Sequence, residues 1–245
     1  MYNIQDKALK LAKQYFSGYS YHGLSIEDGK EIHNLLLSVK ENDTESKTVF
    51  PDFISDLGFI EHFHVTSGTQ YKNGGYANIS EHKKLERKAD DFIKQSNCSS
   101  CSFEYNHYND NLTNFNNSFK SCWRKHIRSL NKYKGKKHIS CFLISFDDFI
   151  KVHIKPDEFG LFYGDLFLDR PNFCLFYNKE LLNFMLNYSH LIDYVIFINI
   201  GIVDKNYCCE VIKLCNIPNL LNILRVNYEM YAPNITDIIS VNKIL

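Results

Sequence analysis

Two carboxylates stand on either side of a short turn in the segment TVFPDFISDLGFIEHFHVTSGTQYKNGG, residues 48–75. Asp52 precedes the predicted turn at 55–58 and Glu61 follows it, each within a short apolar run. A turn there makes the two runs a hairpin and brings Asp52 next to Glu61 across the strands. Two carboxylates are the protein ligands that Mg²⁺ uses, with water and substrate phosphate completing its shell. The pattern therefore predicts a site for Mg²⁺, or for the similar Mn²⁺, at Asp52 and Glu61.

The period of a strand places Glu61 on its apolar side, among phenylalanine and valine side chains, and places His62 and His64 on the other side. A carboxylate on an apolar face is costly to bury unless it is paired, hydrogen-bonded or bound to a metal. A purely structural alternative stays open. In that alternative Asp52 binds a backbone N–H, and Glu61 pairs with a lysine or arginine of a neighbouring helix.

This hairpin resembles the PD-(D/E)xK nuclease superfamily, which has the restriction-endonuclease-like fold. PDF at 51–53, followed after a turn by a strand with an acid at Glu61, carries the resemblance, which covers roughly residues 25–95. In that family a helix that often bears a glutamate precedes the hairpin. An acid from each of two strands binds the metal, and a lysine two residues on orients or activates the water. The resemblance implies that Asp52 and Glu61 bind Mg²⁺, that Glu31 is the helical acid, and that the chain is a metal-dependent endonuclease acting on DNA.

The sequence departs from the family pattern at Phe63, which stands where the family has its lysine. Lys72, in the glycine-rich loop SGTQYKNGG, is the nearest candidate to replace it and is the third predicted catalytic residue. A histidine is the other candidate. His62 and His64 are disfavoured in that role because they point away from Glu61.

A one-sided cationic segment follows, with no acidic residue between Asp110 and Asp147. A helix over NSFKSCWRKHIRSLNKY places cations at i, i+4 and i+8 on one ridge, which creates positive potential suited to phosphate backbones. The alternative is a solvated helix face paired with acids elsewhere in the chain. The residues predicted to contact nucleic acid are Lys120, Arg124, Lys125, Arg128, Lys132 and Lys136.

Cysteine spacing offers a second metal arrangement. Cys98, Cys101, Cys122 and His126 form a CxxC…CxxxH pattern that could close a tetrahedral Zn²⁺ site. The separation of the two pairs is undistinguished and Cys98 lies in a polar stretch, so thiols without a metal are the favoured interpretation.

Element order predicts an α/β (α+β) fold, with a mixed central β-sheet flanked by helices and a restriction-endonuclease-like core. One domain is predicted over 1–245, with its core at 25–200 and C-terminal strands and a tail at 201–245. The predicted elements are helices at 4–16 and 25–42, the hairpin at 48–66, a surface helix at 80–95, a loop at 97–116, a helix at 117–133, a strand at 138–146, and then one further helix and two strands.

Composition excludes little beyond membrane insertion. No window approaches 18 apolar residues, the first residues lack the pattern of a signal peptide, and eight cysteines without that signal indicate reduced thiols, so a cytoplasmic protein is expected. The expected partner is nucleic acid, DNA before RNA; a homodimer stays open. Two alternatives to an enzyme remain on the same fold, a non-catalytic nucleic-acid-binding protein and a protein-interaction subunit.

Overall fold

The computed structural model defines the secondary structure of most of the 245 residues, and the description below concerns those residues. They are 4–16, 24–42, 50–66, 87–88, 91, 100–106, 112–135, 138–146, 153–155, 175–200, 209–223, 229–231 and 236–242.

Ten strands and five helices carry the fold in these ranges. The strands are β1 (Lys40–Glu41), β2 (Phe53–Ser55), β3 (Gly58–Val65), β4 (Ser100–Asn106), β5 (Ile139–Phe146), β6 (His153–Lys155), β7 (Tyr194–Asn199), β8 (Cys209–Lys213), β9 (Glu229–Tyr231) and β10 (Thr236–Asn242). The helices are α1 (Ile4–Tyr15), α2 (Ile26–Ser38), α3 (Leu112–Leu130), α4 (Lys179–Leu186) and α5 (Ile217–Ile223).

Six strands form one mixed sheet in the order β1-β2-β3-β5-β7-β8. Strands β3, β5 and β7 are parallel, whereas β1, β2 and β3 form an antiparallel meander and β8 runs antiparallel to β7. Two separate antiparallel pairs join β4 to β10 and β6 to β9. The predicted α/β class, a mixed sheet flanked by helices, is confirmed.

Helices cover both faces of the sheet, because its inner strands are apolar on both sides. Residues of α3, α4 and α5 form one core with alternate residues of β3, β5 and β7. Residues of α1 and α2 form a second core with the intervening residues. Both α1 and β8 lie outside the predicted core of 25–200, and both contribute buried side chains.

Local sequence explains two of the helices, one on each face of the sheet. In α3 the buried stripe is Phe115, Phe119, Trp123 and Ile127, spaced four residues apart, so one face of the helix lies on the sheet. At the start of α2 the Asp28 N–H donates to the Ser25 hydroxyl, and the Ser25 N–H donates to the Asp28 carboxylate. This capping box fixes the start of the helix.

The predicted four-residue turn at 55–58 is confirmed. Ser55 pairs with Gly58, so only two residues, Asp56 and Leu57, lie between the strands. Gly58 has φ +154°, and a Cβ there would lie 2.0 Å from the carbonyl oxygen of Ile139 on the neighbouring strand. A glycine at this position therefore lets β3 approach β5 closely and sets the register of the strand that carries Glu61.

The predicted loop at 97–116 is wrong in two places. Strand β4 occupies Ser100–Asn106 and pairs with β10, and α3 begins at Leu112. The stretch is rich in serine and asparagine, which favours loops when a segment is considered alone. Its pairing partner lies at the other end of the chain.

Candidate functional site

The two hairpin acids are neighbours. The register that pairs Phe53 with Ile60 continues to Asp52 and Glu61, as the turn predicted. The Asp52 N–H donates to Glu61 Oε2 at 3.0 Å, and the His62 N–H donates to Asp52 Oδ2 at 2.8 Å. The backbone of each strand thus holds the carboxylate of the other. The bond that the Asp52 carboxylate accepts from the His62 N–H is the one that the structural alternative predicted.

Among the described residues, the side-chain partner of Glu61 is a histidine of α3 and not a lysine or arginine. His126 Nδ1 lies 2.5 Å from Glu61 Oε1. The imidazole stacks on the ring of Phe63, with centroids 4.8 Å apart and planes at 18°. Glu61 is 6% exposed, while the side chain of His126 is 18% exposed. The Glu61 carboxylate is therefore buried, whereas the His126 imidazole is partly exposed.

Burial and the neighbouring carboxylate together raise the pKa of Asp52. Burial first, and then the charge of Glu61, raises the pKa of Asp52 from 3.8 to about 6, although the His62 N–H and His126 oppose the rise. Within the described ranges no lysine or arginine pairs with either acid. With a pKa of about 6, Asp52 is largely ionised at neutral pH, and among the described residues the side chain that contacts Glu61 is His126.

The other face of β3 has a different polar cluster. His62 Nε2 and His64 Nδ1 both contact the hydroxyl oxygen of Ser145, at 2.8 Å and 2.9 Å. Burial, together with His64 and His126, lowers the pKa of His62 to about 3, so this imidazole is neutral. The predicted direction of the two histidines, away from Glu61, is confirmed by these contacts.

Glu31 lies in a third polar cluster. It accepts a hydrogen bond from the hydroxyl of Tyr194, at the start of β7, which two strands separate from β2 in the sheet. The same hydroxyl lies 3.4 Å from Asp28 Oδ1, and Asp28 pairs with Lys213 of β8. Glu31 therefore does not join the hairpin acids in this structure.

The residues of the predicted cationic ridge differ in their surroundings, because some of them contact α4. Lys120 pairs with Glu180 of α4, and the Arg124 guanidinium lies 5.2 Å from the ring centroid of Phe184 in the same helix. Both residues thus face α4, whereas His126 faces β3. The Arg128 Nε donates to the Arg124 carbonyl at 3.3 Å. Lys125, Arg128 and Lys132 are exposed, and Lys136 lies outside the described residues.

The predicted zinc ligands are not brought together in the parts of the chain that can be described. Cys122 and His126 do lie on the same flank of α3, but the Cys122 thiol contacts the His64 carbonyl at 3.9 Å and His126 binds Glu61. Burial raises the pKa of Cys122, which disfavours the thiolate that zinc requires. The position of Cys98 and the side chain of Cys101 lie outside the described structure. No group of three or more His, Cys, Asp or Glu residues is placed to hold a metal, among the residues described.

Comparison with protein-family models, with curated proteins and with solved structures finds no match to this chain. In the described ranges no helix has both the length and the apolar character needed to cross a membrane.

Sequence reasoning placed the two acids correctly beside each other but missed the contact of Glu61 with His126. The available signal was a histidine on the apolar flank of an amphipathic helix, one residue before the buried Ile127. A polar group at such a position needs a partner. The sequence did not show that Glu61, 65 residues away, is that partner. Lys72, the predicted replacement for the motif lysine, lies outside the described residues.

Proposed function

We propose that this chain is a metal-dependent endonuclease that hydrolyses phosphodiester bonds in DNA, with Asp52 and Glu61 as its metal ligands. One observation carries the proposal. Two carboxylates lie side by side on adjacent strands, half-buried or buried, and no lysine or arginine of the described residues balances them. Such an arrangement raises the pKa of Asp52 and opposes folding, so a role in binding accounts for it better than a role in stability.

The donor set suits Mg²⁺ or Mn²⁺ better than Zn²⁺. Mg²⁺ is bound in proteins through one or two carboxylates, and water and substrate phosphates supply its other ligands, so a third protein ligand is not needed. Asp52 and Glu61 would hold the ion, and their charge is what a divalent cation would neutralise. A metal bound there would polarise the scissile phosphate and lower the pKa of a water molecule.

The order of the helix and the hairpin along the chain agrees with the resemblance and so supports the proposal. Helix α2 precedes a hairpin with one acid, Asp52, immediately before its first strand and one, Glu61, on its second, an order similar to the one that the resemblance to the PD-(D/E)xK superfamily implies. The match to that family's motif ends at Phe63, which is 4% exposed and packed in the core. A lysine for the motif would have to come from another segment, with Lys72 as the candidate, or be replaced by a different side chain.

The exposed cations of α3 and the residues after it are the proposed contacts to the DNA backbone. Lys125, Arg128 and Lys132 are exposed, whereas the charge of Lys120 is balanced by Glu180. Loss of an exposed cation should weaken binding and reduce its salt dependence, while Lys120→Ala should have the smaller effect.

A cleavage assay tests the proposal. Plasmid DNA, linear DNA and RNA are incubated with the protein in Mg²⁺, Mn²⁺ or EDTA, and Asp52→Ala, Glu61→Ala and Glu61→Gln are compared with wild type. Asp56→Asn is the matched control, because Asp56 is an exposed acid in the turn of the same hairpin. Products that need the metal, lost in the three site variants and kept in the control, are expected. Full activity in a folded Asp52 or Glu61 variant would refute the assignment.

A second function, non-catalytic nucleic-acid binding on the same fold, is favoured by two observations. Phe63 replaces the motif lysine, and the carboxylate oxygens already accept bonds from Asp52 N–H, His62 N–H and His126. This function predicts salt-sensitive binding that is weakened in Arg124 and Arg128 variants, indifferent to Mg²⁺, and without products. A protein-interaction subunit would instead show no nucleic-acid affinity at low salt.

A further inference from the structure

Three aromatic rings pack against one another where the hairpin meets the end of α3. The ring centroids of Phe50, Phe59 and Tyr133 lie 5.3 Å, 5.5 Å and 5.7 Å apart, and each pair meets edge to face. Phe59 is buried, whereas Phe50 and Tyr133 are partly exposed. The two outer rings therefore present aromatic surface to solvent, and the ring beneath them belongs to the core.

This aromatic cluster lies beside the proposed metal ligands. Phe50 precedes Asp52 by two residues, and Phe59 precedes Glu61 by two residues on β3. Because alternate residues of a strand share a face, Phe59 and Glu61 lie on the same side of the sheet, about 7 Å apart along the strand. That side is the one that α3 covers. A ligand on the two outer rings is therefore within reach of the hairpin acids.

The turn after α3 holds Tyr133 in this cluster. Its N–H donates to the Leu130 carbonyl at 3.0 Å, which closes the turn that ends the helix. A Cβ at Gly135 would lie 2.1 Å from the Tyr133 hydroxyl oxygen, so the glycine leaves the space that the ring occupies. Local backbone structure thus directs the ring towards Phe50 and Phe59.

Exposed cations accompany the outer rings on the α3 side. Lys132 and Lys134 flank Tyr133 in the turn, and Arg128 lies in the last turn of α3. All three cations are exposed. Positive charge therefore borders the aromatic cluster where the helix ends.

The neighbouring strands extend this surface. Ile54 of β2 lies opposite Phe59, and Lys40 of β1 lies opposite Ile54, so these three side chains share one face of the sheet. Ile54 is 38% exposed, and Lys40 is exposed as well. Glu41, the exposed acid of β1, lies opposite the buried Phe53 and so on the other face. The surface thus combines exposed apolar groups with cations.

Aromatic rings bordered by cations match the chemistry of a single-stranded nucleic acid. The flat faces of its unpaired bases stack on aromatic side chains, while its phosphates bind lysine and arginine. In duplex DNA the bases stack on one another, so the cations would find partners along the duplex but the rings would not. A protein partner is less suited, because it would need acidic and apolar groups together and would leave the adjacent hairpin acids without a role.

We propose that Phe50 and Tyr133 form a stacking platform for an unpaired base, and that the DNA substrate is single-stranded where it reaches the hairpin acids. The proposal rests on the function proposed above, which supplies DNA as the ligand, and it adds the state of the strand. Arg128, Lys132 and Lys134 bind the phosphates beside the stacked base. Because every base has a flat face, the platform favours unpaired DNA without reading its sequence.

The test measures binding in EDTA, where no metal-dependent cleavage takes place. A fluorescent oligothymidylate of about 15 nucleotides and a duplex of the same length are titrated at low salt, and anisotropy gives each Kd. Wild type should bind the single strand more tightly than the duplex. Tyr133→Leu should bind the single strand about fivefold or more weakly, the usual loss for one stacked base, and keep the duplex affinity of wild type.

Two further variants separate stacking from packing. Tyr133→Phe keeps the ring and should bind the single strand as wild type does. Tyr15→Leu is the matched control, because Tyr15 is a partly exposed tyrosine that packs on the core of the opposite face of the sheet. An equal loss of single-strand affinity in Tyr133→Leu and Tyr15→Leu would overturn the proposal.

An oligonucleotide without bases provides a readout that needs no variant. It keeps the phosphates of the oligothymidylate and removes the groups that stack. Wild type should bind it about fivefold or more weakly than the oligothymidylate, and Tyr133→Leu should bind it as wild type does. Equal affinity of wild type for the two ligands would refute the platform, whether or not Tyr133→Leu folds.

The failure of this inference can be separated from the failure of the endonuclease function. If wild type cleaves DNA with metal but prefers the duplex, or if folded Tyr133→Leu keeps its affinity for the single strand, the platform is refuted and the function stands. If wild type gives no metal-dependent products while the binding results hold, the endonuclease function is refuted and the platform belongs to a binding protein. Absence of DNA binding at low salt refutes both.

Discussion

Two acidic clusters lie on opposite faces of the central sheet and differ in how their charge is balanced. In the α2–β8 cluster, Asp28 pairs with Lys213, and Tyr194 donates to Glu31. In the hairpin cluster, Asp52 and Glu61 lie together, and His126 is the hydrogen-bond partner of Glu61. Both clusters remove carboxylates from water, but among the described residues a lysine pairs with an acid of the first cluster and none pairs with an acid of the second.

The pKa values of Asp28 and Asp52 are shifted in opposite directions. Burial acts to raise the pKa of Asp28, but the bond to Lys213 and the Ser25 N–H outweigh it, so the net pKa lies below its ordinary value. Burial and Glu61 raise the pKa of Asp52 to about 6. The comparison indicates that Asp28 contributes to stability while ionised, whereas ionised Asp52 opposes folding. A cation from outside the chain would reverse the second effect, which is why the hairpin is the candidate site.

The largest expected effect comes from removing the lysine of the balanced cluster. Lys213→Met keeps most of the apolar stem and leaves Asp28 without its cation, so Asp28 comes to resemble Asp52. We expect a loss of about 2–3 kcal/mol in the free energy of unfolding at pH 7, below the value for a fully buried pair because the Lys213 side chain is 25% exposed. Urea denaturation measures this loss. Unchanged stability would show that the pair of Asp28 and Lys213 does not stabilise the fold.

A smaller effect of opposite sign is expected at Asp52. Its folded pKa of about 6 lies above the ordinary value of 3.8, so the folded state binds the proton more tightly and wild type loses stability as pH rises from about 4 to 6. Asp52→Asn removes that loss and keeps an acceptor for the His62 N–H. We expect the variant to be about 1–2 kcal/mol more stable than wild type at pH 7, after allowance for solvent screening of this half-buried group.

Urea denaturation of both proteins at pH 4 and pH 7 checks the sign. The difference between the Asp52→Asn variant and wild type should be small at pH 4 and larger at pH 7. A variant that is less stable than wild type at pH 7 would mean that the hairpin acids are balanced within the chain after all.

The sequence could predict the hairpin acids because they depend on local rules. A short turn and the two-residue period of a strand are enough to place Asp52 beside Glu61 and to direct His62 to the other face. The contact of Glu61 with His126 depends on where α3 crosses β3, a tertiary feature that no local pattern specifies. Strand β4 was missed for the same reason, since its polar sequence becomes a strand only through its pairing with β10.

The smallest expected effect separates the cations of α3 into two kinds. Arg124→Ala removes the contact with the Phe184 ring and should cost about 0.5 kcal/mol of stability, the usual value for an exposed cation–π pair. Lys125→Ala is the matched control, because Lys125 is exposed and lies beside Cys122, away from α4. Thermal denaturation compares the two variants. An equal loss of stability in both would show that Arg124 has no structural role in addition to its charge.

The central claim, that the hairpin acids are balanced by a metal, is tested most directly by calorimetric titration of Mn²⁺ at neutral pH. Wild type should bind about one equivalent, and Asp52→Asn and Glu61→Gln should each bind at least about tenfold more weakly, a difference of about 1.4 kcal/mol. Asp28→Asn, from the balanced cluster, should bind as wild type does. Absence of Mn²⁺ binding in wild type, or binding by either hairpin variant with the affinity of wild type, would contradict the account.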